Sequence, residues 1–449
     1  MKKIATLLIA LALSALIYYF TVGSSQLTEA LKQEVNHQLT TLTDHGFTVE
    51  DRSIDSQTEH CVLTVQEPEK IHQYLLTQNA QINLEDVQLL QDQKIGVDIE
   101  YLPSSSDAIA LELYPVNLPR TIYEHSKPDD QKAIEVLEKM VNEKLFVAHI
   151  NVNKLGTGFD GYIQDIDHAF ELDGNRSHII MKDWTFKGDL DNQTVTRVSQ
   201  NLQQFHYGLN DTVTLQLNNM QATIDTANED NQTVQYTLES LSLQSDLNET
   251  FEVTINGIQG VSEDKINGDL LSNQSKFDVN FVEFQNKEGY QKFDHVTVDT
   301  AVRNLNMKAL TQFQNFADTP QDENRSFEQM LPLLKALTGA DTAIDINRIA
   351  ITSITENNVT YNGFDMSLHA EVDKDFNWDQ VDENPILIST LFDLKANLIL
   401  SDKIAEMLAQ NPKALMFMMF TQPKEHNGNK IYDIEYTQGS LKINGAPLL

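Results

Sequence analysis

The sequence predicts an α+β protein: a long, twisted, mainly antiparallel β-sheet, laid out as a meander, with a few covering helices, after an N-terminal transmembrane helix. Three observations predict it. Ile4 to Val22 runs 19 residues without a charge. From Val147 onward the apolar residues recur with period two, the spacing of strands with one apolar face. Few segments keep the i, i+3, i+4 spacing of a helix.

The first element is the apolar run. At about 1.5 Å per residue it reaches across a hydrocarbon core of roughly 30 Å. Lys2 and Lys3 precede it, so the positive-inside rule keeps them in the cytoplasm and sends the body across the inner membrane into the periplasm. Tyr18, Tyr19 and Phe20 suit a membrane interface and stand where a cleavage site needs small residues. Residues 1–24 therefore read as an uncleaved signal anchor, with cleavage after Val22-Gly23-Ser24 as the alternative.

Residues 25–146 read as a membrane-proximal region of mixed helix and strand. Leu27 to His45 is a helix stopped by Gly46, a second helix begins at Pro68, and Leu111, Leu113 and Val116 suggest a strand. Lys127-Pro128-Asp129-Asp130 opens a third helix that runs to Leu145, with Pro and acids in its first turn. Residues 147–305 are the meander: Val213 to Leu217, Val234 to Leu238, Phe251 to Ile255, Phe277 to Phe281 and Val296 to Val298 alternate. Turn signals are read at 228–231, Asn256-Gly257, Asn267-Gly268 and Lys287-Glu288-Gly289. Their spacing is uneven, so no solenoid or propeller repeat is assigned.

Residues 306–340 form a helical interval, Met307 to Phe316 and Phe327 to Leu337, the second carrying Pro332. Strands resume in 341–449 at Ile344 to Ile346, Ile349 to Ile351, Met366 to Val372 and Phe392 to Leu400, continuing the same sheet. A helix over 402–421, capped by Ser401 or Asp402, precedes the closing strands Tyr432 to Tyr436 and Leu441 to Ile443. Its second half is apolar on every side and reads either as buried core or as a wall facing a ligand or partner. The candidate contact residues are Leu415, Met416, Phe417, Met419 and Phe420.

Charge excludes some partners. The chain has 66 acids against 32 bases, a formal charge of −34, which disfavours nucleic acid and anionic surfaces. One cysteine, Cys61, excludes a disulfide framework and a four-cysteine zinc site; it is either a core residue or a free thiol. No phosphate-binding glycine loop, HExxH or GxSxG is present, and the 12 histidines are scattered, so no cofactor, metal ligand or catalytic residue is assigned. Asp373 to Asp379 alternates oxygen ligands as a calcium loop does, but Trp378 and Asn384 stand where glycine and glutamate are needed.

Near the end of the sequence stands Tyr436-Thr437-Gln438-Gly439-Ser440-Leu441-Lys442-Ile443-Asn444-Gly445. This hairpin, with the Lys-led anchor, the amphipathic helix and the polar-faced meander before it, resembles the YdgA-like family of bacterial proteins of unknown function. The resemblance implies a periplasmic body on an inner-membrane anchor and supplies no catalytic residues. The expectation is a non-enzymatic envelope protein whose curved, one-sided sheet binds lipid or scaffolds a partner. A homodimer through the apolar face is a further possibility. The rival is an envelope hydrolase whose site is assembled only in three dimensions.

Overall fold

The structure, a computed structural model, describes residues 27–77, 83–124, 131–172, 174–191, 194–210, 212–228, 230–247, 250–318, 327–338, 341–372, 376–381, 384–412, 415–416, 418 and 421–448. The expected anchor over 4–22 lies outside them. Among the described residues no helix is long and apolar enough to cross a membrane. The chain divides into two compact units, 1–229 and 230–449, a boundary that falls inside the expected meander. As expected, antiparallel strands dominate and helices are few.

In the first unit, α1 (Leu27–Asp44) puts Leu31, Val35, Leu39 and Leu42 on one buried stripe. Gly46 stops it at φ +102, where its carbonyl accepts from the amides of Gln66 and Glu67. Strands β1 (Phe47–Ile54), β2 (Thr58–Val65), β3 (Lys94–Tyr101), β4 (Asp107–Pro115), β5 (Ala148–Asn153) and β6 (Gly158–Ile163) pair in chain order, all antiparallel. Thus a region read as mixed helix and strand, with one strand expected at Leu111, Leu113 and Val116, supplies four strands. In β2, Glu59, His60 and Thr64 interrupt the apolar alternation and hide the strand.

Helices α2 (Pro68–Thr77) and α3 (Leu84–Gln88) join β2 to β3; α4 (Arg120–Glu124) and α5 (Gln131–Asn142) join β4 to β5. The core lies on one face: Ile99, Leu111 and Ile150 stand directly opposite one another and are buried. Strand β8 (Asn175–Asp191) pairs with both β6 and β7 (Ile166–Leu172), then with β9 (Thr194–Leu209), which pairs with β10 (Val213–Asn228). Where β6 meets β8, Phe186 lies over Gly161 and Phe159 over Gly188, each ring filling the space a glycine leaves opposite it.

In the second unit, β11 (Asn231–Ser245), β12 (Phe251–Asn267), β13 (Leu270–Asn286) and β14 (Gly289–Asn306) are long hairpin-linked strands. The helices α6 (Met307–Asp318) and α7 (Phe327–Thr338) follow, both against β14, with Pro332 inside α7. Next come β15 (Ala343–Glu356), β16 (Val359–Val372) and β17 (Phe392–Ser401). Ile344 to Ile351, read as two strands, is one strand with an irregularity between Ile346 and Ile349.

Helix α8 is short, Asp402–Leu408, capped by Ser401, whose Oγ accepts from the Ile404 amide at 3.3 Å. The expected helix over 402–421 is broken at 409–411 because Pro412 has no amide to continue it and restricts Asn411. Helical geometry resumes at 412, with the Leu415 amide bonded to the Asn411 carbonyl at 2.9 Å. Strand β19 (Asn429–Thr437) lies beside β17, while β18 (Lys424–His426) and β20 (Ser440–Ile443) pair with successive stretches of its other edge. Strand β21 (Ala446–Pro447) closes against β20.

Candidate functional site

The period-two pattern of the second unit resolves into apolar rows that cross the strands. Leu238, Ile258, Val279, Val296, Ile351, Phe364 and Leu400 stand directly opposite one another from β11 to β17. A parallel row runs Leu241, Ile255, Val282, Phe293, Ile354 and Tyr361. A third runs Tyr236, Gly260, Phe277, Val298, Ile349, Met366, Leu398 and Tyr432. Tyr236 lies over Gly260, with its ring centroid 6.5 Å from that of Phe277. Directly opposed side chains share a face, so these rows make one continuous apolar surface.

Between the first two rows runs a crease. Glu239, Gly257, Asn280, His295 and Thr352 face one another in register, and the ladder skips each of them. Each strand carries one extra residue there, matched by one on its neighbour, so the register does not shift. The extra residue also switches the parity of the apolar positions: Phe251, Val253 and Ile255 are odd, whereas Ile258 is even. One extra residue flips the following side chains to the other face, and the left-handed turn flips them back. Gly257 and His295 take φ of +65 and +50 on alternate strands, while Glu239, Asn280, His295 and Thr352 point to solvent. The first unit has the same feature: Asp183 and Asn219, at φ +51 and +50, both face Gln203. Accordingly Asn256-Gly257, read as a turn, lies in the middle of β12.

The apolar surface is unevenly covered. Over β16 to β20, α8 lies on it: Ala405 and Ile404 pack with Leu400, Tyr432 and Ile443, and Met418 joins them. Over β11 to β13 the apolar side chains of the rows are half-buried, apart from Tyr236, which is exposed, and Val279, which falls to 4% exposure. Of the contact residues expected from sequence, Leu415 and Met416 are exposed, at 42% and 59%. Phe417, Met419 and Phe420 lie outside the described residues. The segment thus stands beside the apolar surface, and its described inward contact is Met418 rather than either exposed neighbour.

The first unit carries a different constellation on its polar face. Ser53, His60, Asp98, Glu112, His149 and Tyr162 stand directly opposite one another from β1 to β6. His60 Nδ1 is 2.5 Å from Asp98 Oδ1, His149 Nδ1 is 3.2 Å from Glu112 Oε1, and the His149 ring stacks on Tyr162 at 4.4 Å. All six line one open cavity of about 570 Å³. A neighbouring cavity of about 950 Å³ continues from His149 and Tyr162 to Asn201 and Gln221. No sequence motif marks this row, because its members come from six strands.

Beneath the opposite face, Glu59 is buried and doubly held: Arg52 Nε reaches Oε1 at 2.7 Å and the Tyr101 hydroxyl donates to Oε2 at 2.8 Å. Burial and the Glu59 charge push the thiol of Cys61 up to about 12, which makes it the core residue of the two sequence readings. Among the described residues no three His, Cys, Asp or Glu side chains converge on a metal-sized site. The aspartates 373 and 375 of the calcium-like string lie outside the described residues.

No family model, curated protein or solved structure matches this chain.

Proposed function

We propose that this protein is a non-enzymatic, membrane-anchored envelope protein that holds lipid on the apolar face of its second unit. One observation carries the reading: in-register apolar rows crossing β11 to β14 are, Val279 apart, not fully buried. A monomer rarely leaves so large an apolar surface uncovered without a use for it. The apolar run over 4–22 supplies the anchor, and the likeness to YdgA-like proteins agrees with an inner-membrane, periplasm-facing placement. Leu415 and Met416, exposed in the helical turn that leads to Met418, would meet the ligand from the covered end of the face. The test is native mass spectrometry of the full chain extracted in mild detergent. Lipid adducts on the native chain, lost in Ile255→Asp/Val282→Asp with its melting transition intact, support the reading. A clean protein mass, or a mass doubled by a second copy on that face, overturns it.

A second reading has its own support. Ser53, His60 and Asp98 follow one another across three strands in the order nucleophile, base, orienting acid, in one cavity. An ester hydrolase would use Ser53 to attack the carbonyl, His60 to take and return the proton, and water to release the acyl group. Labelling with a fluorophosphonate decides it: adduct on Ser53, abolished in His60→Ala, is expected of a hydrolase, and an unlabelled native chain removes the reading.

A further inference from the structure

On the apolar face of the second unit lies a polar island. Ser262 and Ser275 stand directly opposite each other on β12 and β13, as do Asp264 and Asn273 two residues along. They occupy the same face as Ile258, Gly260, Phe277 and Val279, because no crease intervenes. Apolar rows bound the island on both sides, with Ile266 opposite Leu271 beyond it.

The hydrogens of this island are spent within it. Asn273 Nδ2 donates to Ser262 Oγ at 2.9 Å and to Asp264 Oδ1 at 2.6 Å. The Ser275 hydroxyl donates to Asn273 Oδ1 at 2.9 Å. Ser262 and Ser275 are 2.9 Å apart, and with Ser275 already donating, the Ser262 hydroxyl is the donor. What the four side chains keep is acceptor capacity, above all the second oxygen of Asp264 and the remaining lone pairs of its carboxylate.

Charge points the same way. Asp264 is half-buried, and no other position on this face of β11 to β14 holds a charged residue. The inward positions nearest to it, Gln232 and Val302, are uncharged. A carboxylate on an apolar surface, with no cation of its own face beside it, favours a positively charged donor and repels a phosphate approaching alone.

We infer that the island receives the ammonium of a zwitterionic, amine-headed phospholipid whose acyl chains lie on the rows from Tyr236 to Val298 and from Leu238 to Val296. This rests on the lipid-holding reading and names its ligand class. The ammonium supplies the donors that the island lacks. The headgroup phosphate sits one ethylene link farther out, away from Asp264.

The experiment offers the full chain mixed micelles of equimolar dioleoyl phosphatidylethanolamine and dioleoyl phosphatidylglycerol, and weighs the retained lipid by native mass spectrometry. The native chain should retain the ethanolamine lipid about 5-fold over the glycerol lipid. Asp264→Asn, with an unchanged melting transition, should bring that ratio to about one while total lipid stays the same. Serine-to-alanine replacement at Ser262 should leave a preference, since the carboxylate remains. Equal retention by the native chain, or a preference that survives Asp264→Asn, overturns the headgroup assignment and leaves lipid binding standing. Retention of neither lipid overturns both.

Discussion

Gly257 of β12 faces Asn280 of β13 at a point where the ladder omits both, and the Asn280 side chain occupies the space that a Gly257 Cβ would need. Gly257 also holds φ at +65, which L side chains adopt at a cost of about 1–2 kcal/mol. Two penalties therefore meet at one residue. Gly257→Val should destabilise the second unit by about 2–3 kcal/mol, the upper range for a strained position. Asn280→Ala, which trims an exposed side chain, should cost well under that. Because the two side chains compete for one volume, Gly257→Ala should cost less in an Asn280→Ala background. Denaturant melts of the four proteins measure the coupling; strict additivity would mean that backbone strain alone sets the penalty.

Deletion separates the crease from an ordinary surface position. Removing Asn280 outright shifts Val282 and Phe284 by one residue against Ile255 and Val253, and a one-residue slip turns a strand's apolar set to the wrong face. The deletion should abolish the cooperative melt of the second unit while Asn280→Ala keeps it. A deletion protein that melts like the native chain would show that the extra residue has no role in phasing.

Much of this was legible as alternation, and the crease was legible as its failure. Leu217 and Met220, Leu238 and Leu241, Ile255 and Ile258, and Val279 and Val282 each lie three apart where period two expects an even number. Read alone, such a break looks like the end of a strand, which is why Asn256-Gly257 passes for a turn. It is the recurrence of left-handed residues at 183, 219, 257 and 295, spaced by 36, 38 and 38, that shows a two-strand module. The intervening sequences share no residue pattern, so the module is visible only after pairing. The polar row of the first unit was hidden for the same reason: Ser53 and Tyr162 are far apart in the chain and six strands bring them together. By contrast the caps and stops were local: Gly46 and Ser401 act where the sequence places them, whereas Pro412, equally local, breaks a helix that was read straight through it.

The Arg52–Glu59 pair makes a prediction of unequal costs. The Glu59 side chain is fully buried, while Arg52 keeps partial access to solvent and also donates to Asn36 of α1 at 2.7 Å. Arg52→Met leaves a buried carboxylate with the Tyr101 hydroxyl alone and should cost about 3–5 kcal/mol. Arg52→Met/Glu59→Leu removes both charges and should cost less than the single change. Chemical denaturation of the two proteins decides between these outcomes; a double variant as unstable as the single one would mean that the pair itself is strongly net stabilising.

Alkali should unfold the first unit early. Burial first, and then the Glu59 charge, push the Cys61 thiol from its ordinary value of 9.0 up to about 12 in the folded chain. Burial, and next the hydrogen bond to Glu59, raises the Tyr101 hydroxyl as well. A folded state that holds a proton more tightly loses stability as pH rises through the unfolded value. The loss begins near pH 9 and continues toward 12, at about 1.4 kcal/mol per pH unit for each such group. Melting midpoints measured across pH 8 to 11 should fall, and Cys61→Ala should fall less steeply. A maleimide should leave Cys61 unmodified in the folded chain at pH 8 and modify it in denaturant. Prompt labelling of the folded chain would contradict its burial.

Salt should act in the opposite direction. With 66 acids against 32 bases the folded body repels itself, and ion pairs such as Lys424–Asp433 at 2.8 Å and Lys94–Glu50 at 2.7 Å neutralise only part of that charge. Exposed pairs of this kind contribute little each. Screening acts on both terms, shrinking the reach of charge from about 30 Å at 0.01 M to about 3 Å at 1 M. An excess of 34 negative charges leaves far more repulsion to screen than attraction to lose. The melting temperature should therefore rise by several degrees between 0.01 M and 1 M sodium chloride. Sodium chloride is the right salt for this test, since sulfate would also strengthen apolar burial and confuse the two causes. A melting temperature that falls with salt would mean that the ion pairs outweigh the excess charge, and that the acidic surface is locally compensated strand by strand.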